Sequence, residues 1–123
     1  MKKNLLITGI ITLVLLFLLF QNWDVISQKG NPFPYLISAI KISESTPYIM
    51  VNKNEVITKA NDESALIKDY EEQMKLKFKE QVGSGFIFTD GKKHYTITSE
   101  IYLSIYSIWT LPDVPGKQFI GKQ

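Results

Sequence analysis

The 123-residue chain carries fourteen Lys and no Arg, twelve Asp or Glu, one His and no Cys, for a net charge of +2 at pH 7. These counts exclude a disulfide framework and a thiol nucleophile, and a single His leaves no zinc or copper site built by this chain alone, so neither a cofactor nor a metal is expected. Lys2 and Lys3 precede the first apolar run, so the rest of the chain carries twelve positive and twelve negative charges; without a basic excess or Arg for bidentate phosphate contacts, no nucleic-acid partner is expected.

Leu5 to Phe20 is an uncharged run diluted only by Thr8, Gly9 and Thr12. Sixteen helical residues rise about 24 Å, short of a hydrocarbon core of roughly 30 Å. A helix from Asn4 to Trp23 reaches about 30 Å, sets Trp23 at the interface and leaves Asp24 in water. Residues 1–23 are therefore expected to be a transmembrane signal-anchor. By the positive-inside rule Lys2 and Lys3 stay in the cytoplasm and residues 24–123 face outward. The bilayer is the first expected partner. The alternative is secretion after signal-peptide cleavage. Leu18 to Trp23 offers no small residues for it, and Val25-Ile26-Ser27 is a weak site well past the apolar core.

Residues 24–34 read as a linker, stiffened by Pro32 and Pro34. A small domain over 35–112 follows. Tyr35 to Ile42 fits a helix or a strand, with the balance on a short membrane-hugging helix. Tyr48 to Val51 and Glu55 to Lys59 predict a hairpin turned by Asn52-Lys53-Asn54. Asn61 or Asp62 is the expected cap of a main helix over about 62–77, with Leu66, Ile67, Tyr70, Met74 and Phe78 as its buried stripe and Glu71–Lys75 as a surface pair. Val82 to Thr89 and Lys92 to Thr98 predict a hairpin at Asp90-Gly91. A bend at Ser99-Glu100 leads to a strand over Ile101 to Thr110. Pro112 and Pro115 end it, and residues 113–123 are expected to be a loose tail. The fold class is α+β: one main helix packed on an antiparallel sheet after the N-terminal transmembrane helix.

The stretches Asn31-Pro32-Phe33-Pro34-Tyr35-Leu36 and Phe78-Lys79-Glu80-Gln81-Val82-Gly83-Ser84-Gly85-Phe86-Ile87-Phe88 resemble those of small single-pass membrane-anchored proteins of low-GC Gram-positive bacteria. The resemblance spans most of the chain. It implies a location, the bacterial cytoplasmic membrane, and no activity or site residues.

Gly83-Ser84-Gly85 is the motif with the most chemical interest, as an anion nest or a Ser84 nucleophile. It lacks the P-loop and nucleophile-elbow patterns, and a connection into a strand needs glycine in any case. His94 stands alone, and no Ser-His-Asp arrangement follows from the spacing. Glu71 and Glu72 are about 100° apart on a helix and do not form a carboxylate pair. Tyr102, Tyr106 and Ile108 share one strand face by alternation and become a partner-binding surface if that face is open. No catalytic residue is assigned. The expected function is a non-enzymatic, membrane-tethered interaction module that meets another envelope or membrane protein. The alternatives are a hydrolase-like enzyme using Ser84 or His94, and an accessory subunit acting through its apolar helix.

Overall fold

The structure is a computed structural model that describes residues 2–27 and 30–121. Met1 of the expected anchor, Gln28 and Lys29 of the linker, and Lys122 and Gln123 of the tail lie outside the described residues. The chain divides into two compact units, Met1–Pro32 and Phe33–Gln123.

In the first unit the apolar run contains no Pro and forms α1, Lys2–Gln21, none of whose residues is buried. Its two threonines return their hydroxyls to the helix: Thr8 Oγ1 donates to the Asn4 carbonyl at 2.7 Å and Thr12 Oγ1 to that of Thr8 at 2.8 Å. The polar atoms inside the run are thus satisfied without water. At twenty residues the helix is long and apolar enough to cross a membrane, a property that a signal sequence shares. A short helix α2, Trp23–Ile26, follows, so the stretch expected as linker begins helical. Ser27 closes it, its hydroxyl donating to the Trp23 carbonyl at 2.6 Å.

The second unit opens with α3, Phe33–Ile40, which resolves the ambiguous stretch as a helix that starts two residues before the expected boundary. Pro34 sits in its first turn, where a missing N–H costs nothing. The strands are β1 (Tyr48–Met50), β2 (Glu55–Lys59), β3 (Lys77–Val82), β4 (Gly85–Thr89), β5 (His94–Tyr102) and β6 (Tyr106–Thr110), with α4 (Ser64–Met74) between β2 and β3. They form one antiparallel sheet in the order β1-β2-β6-β5-β4-β3.

Alternation along the strands separates two apolar clusters. One joins Leu66, Tyr70 and Met74 of α4 to Val56, Phe88 and Trp109 of the sheet, among others. Within it Tyr70 meets Phe88 edge-on at 4.9 Å. The other joins Tyr35 and Ala39 of α3 to Ile49, Ile57, Tyr102 and Ile108. Two helices thus supply core residues where one was expected.

Three stretches differ from their sequence pattern. The helix over 62–77 is shorter at both ends. It starts at Ser64 and stops at Met74, where Lys75 turns left-handed at φ 54° and returns its N–H to the Glu71 carbonyl. Phe78 continues the helical spacing yet lies on β3, paired with Phe88. Glu71 does not meet Lys75 as a surface pair; its carboxylate accepts the Phe78 N–H at 2.9 Å and so anchors the start of β3. The strand expected over 101–110 is broken by a turn at residues 103–105, with Leu103 and Ser104 at φ 54° and 62°, and β5 runs straight through Ser99-Glu100. The tail is not loose over its described length. Val114 and Phe119 are buried in the first cluster, and Gln73 holds Ile120 through both its backbone N–H and its carbonyl.

Candidate functional site

Gly83-Ser84 is a two-residue turn that joins β3 to β4, not a link from helix to strand. Gly83 takes φ +60°, which explains the glycine. A Cβ on Gly85 would stand 3.3 Å from both the Thr96 methyl and the Val82 carbonyl, which explains the second. The Ser84 carbonyl accepts from the Ser99 N–H at 2.9 Å and from its hydroxyl at 3.2 Å. These bonds give the motif a structural role and direct no ring of N–H groups at a ligand.

His94 is exposed at the far end of β4, where it pairs with Thr89, while Gly85 pairs with Thr98. The five residues of β4, about 17 Å, separate Ser84 from the His94 end. The ring Nε2 of His94 lies 3.5 Å from the Lys79 ammonium, a neighbour that is no nucleophile. Asp90 is occupied by its own turn: its Oδ1 accepts the backbone N–H groups of Lys92 and Lys93 at 2.8 and 2.7 Å. Those two donors hold its carboxyl below the usual range. Ser84, His94 and Asp90 therefore do not converge, and the observation that a hydrolase-like alternative requires is not met.

The second-face residues are also placed differently. Tyr102 and Ile108 are fully buried in the α3 cluster, with Tyr106 partly buried against it. The Tyr35 ring lies 5.9 Å from that of Tyr102. A binding surface there needed an open face, and α3 closes it. Tyr95 and Trp109 face the other way, into the first cluster, so the sheet's aromatic residues are divided between two cores.

The same β3–β4 turn borders a groove of about 440 Å³ that sequence reasoning missed. Phe86 and Trp109 line it, edge-on to each other at 4.9 Å. The Trp109 indole N–H is already satisfied by Thr58 Oγ1 at 3.0 Å, so the ring is held in place, and it and Phe86 are buried beneath the groove. Around it stand Asn61, Gln81, Ser99 and Ser107. Asn61 is brought there by a turn in which it adopts φ 62° and Asp62 N–H donates to the Lys59 carbonyl. Gln81 is fixed by its amide on the Gly83 carbonyl at 3.1 Å. Glu63, the residue before α4, is the carboxylate of that rim; Glu100 also borders the groove but pairs with Ile108, which places its side chain on the other face of the sheet. The only signal of this groove in the sequence was the glycine pair, since Asn61, Ser99 and Trp109 lie far apart along the chain.

No family model, curated protein or solved structure matches the chain.

Proposed function

We propose that this chain is a non-enzymatic binding module, held on the outer face of a bacterial cytoplasmic membrane by α1, that takes a short polar segment of another envelope or membrane protein in the groove beside Gly83-Ser84. The observation that carries this function is a groove whose base rests on the buried edge-on pair Phe86 and Trp109 and whose lining includes the amide and hydroxyl groups of Asn61, Gln81, Ser99 and Ser107. Concave sites with an apolar base and a few convergent polar groups are the usual form of small binding sites. Anchorage is supported by the length and composition of α1, and retention over cleavage by the large residues from Leu18 to Trp23. Lys2 and Lys3 support the orientation.

The test uses the full chain in intact membranes. A photo-crosslinking residue at Gln81 is expected to give a discrete adduct with a second protein. The same residue at Lys92, at the opposite end of β4, is expected to give none. Ser99→Trp, which fills the groove, abolishes the adduct. Equal adducts from the two positions, or an adduct that survives Ser99→Trp, sink the groove assignment.

A further inference from the structure

Helix α3 has two apolar sides. Tyr35 and Ala39 enter the core. Phe33, Ile37 and Ile40 lie within about 60° of one another on a helix that turns ~100° per residue, and they are 63 %, 51 % and 82 % exposed. A helix buried on one side gains nothing in water from a second apolar stripe. Beside the stripe a cleft of about 660 Å³ is lined by Ile37, Lys41, Lys53 and the exposed Ile120, and among the described residues no Asp or Glu lines it. Between Asp24 and Glu44 the chain carries Lys29 and Lys41 and no other charge. Only residues 27–32 join α2 to α3, a connection that reaches at most about 25 Å when extended.

From these observations we propose that the outer stripe of α3 rests on the surface of an anionic bilayer, a second membrane contact beside the anchor. The short connection keeps a lipid surface within reach of every copy. Ile37 and Ile40 enter the acyl boundary with Phe33, and Lys41 and Lys53 meet lipid phosphates at its rim. Contact at a second place fixes the rotation of the domain about its tether. It thereby decides which side of the sheet a partner in the same membrane meets. The inference rests on the reading of α1 as an anchor and is independent of the groove.

The chain has no Cys, so single labels are readily introduced. Ile37→Cys, Ile40→Cys and, as a remote control, Lys92→Cys are each made in the full chain and labelled with an environment-sensitive fluorophore. Each protein is then reconstituted into vesicles of phosphatidylglycerol and phosphatidylcholine. The labels at 37 and 40 are expected to be quenched by spin-labelled lipid and shielded from iodide, and the label at 92 the reverse. Lys41→Gln is expected to lower the ratio of shielded to unshielded label about fivefold, and pure phosphatidylcholine vesicles to lower it further. Iodide access at 37 and 40 equal to that at 92 overturns the proposal while leaving the anchor intact. Shielding that persists in detergent and grows with protein concentration overturns it in favour of a second copy on the stripe. A chain recovered in the soluble fraction after alkaline extraction overturns the anchor and this contact together.

Discussion

Phe119→Ala is expected to remove most of the stability of the folded domain, although the residue belongs to a stretch with no regular structure. Phe119 is 5 % exposed, and its ring lies 5.5 Å from Tyr70 and 6.0 Å from Tyr48. Burying a Phe side chain contributes ~2–3 kcal/mol, and two tilted aromatic pairs add ~0.5 kcal/mol each. The total is ~3–4 kcal/mol, at the lower end for Phe→Ala because a surface segment can collapse into the space it leaves. A domain of this size has ~5 kcal/mol to lose. Urea unfolding of the full chain in detergent, followed by Trp109 emission in a Trp23→Phe background, measures the loss. With a slope of ~1.2 kcal/mol per molar urea, the midpoint falls by roughly 3 M. Ile120→Ala, adjacent but exposed, moves it by less than ~0.4 M. Equal small shifts for the two variants would refute the docking of the C-terminal segment.

The Tyr70 hydroxyl is buried without a hydrogen-bond partner among the described residues, so Tyr70→Phe is expected to raise stability by up to ~1 kcal/mol in the same assay. Burial, with a further push from Tyr95, raises the Tyr70 hydroxyl to about 12, and burial with the Asp69 carboxylate raises Tyr48 as well. A phenol held neutral in the folded chain gives stability that is complete below pH 10 and lost as pH climbs through the folded value. Unfolding midpoints at pH 9 and pH 11 should therefore diverge, and by less in Tyr70→Phe. Thr58→Val leaves the buried Trp109 N–H unpaired, with an expected cost of ~1–3 kcal/mol, checked by urea midpoint and by a shift in Trp109 emission. Gly83→Ala meets no atom within 4 Å but must hold φ +60°; the expected cost is ~1 kcal/mol, and Gly83→Asn should recover part of it.

The regular elements were legible where one force dominated. Leu66, Tyr70 and Met74 recur at helical spacing because they enter one core, and the strands from Tyr48 to Lys59 alternate around an obvious turn. The end of α4 was not legible. Phe78 lies four residues after Met74 and extends the stripe, while the left-handed Lys75 that ends the helix carries no glycine signal. The strand after it reads poorly because an edge strand exposes charge on both faces, as Lys77, Lys79 and Glu80 do. The turn at Leu103-Ser104 lacks Gly and Asn, and Leu103 packs against the second cluster, which offsets its unfavourable backbone. Alternation put Tyr102, Tyr106 and Ile108 on one face of a single strand, whereas they share a face because Tyr102 pairs with Tyr106 across the turn, with Ile108 two residues further on. It could not say that eight residues before the first strand would cover them. The groove needed four distant segments to meet, and no local pattern records that.

The strand order has a consequence for how the sheet is assembled. β3 to β6 form a meander whose neighbours are consecutive, so it zips through short loops. β1 and β2 form a separate hairpin that reaches β6 only after the chain has passed through α4 and the whole meander. The β2–β6 seam joins partners 47 to 55 positions apart, so its closure carries the largest loop cost in the sheet, and β2 is what keeps the Ile108 and Trp109 backbone from being an open edge.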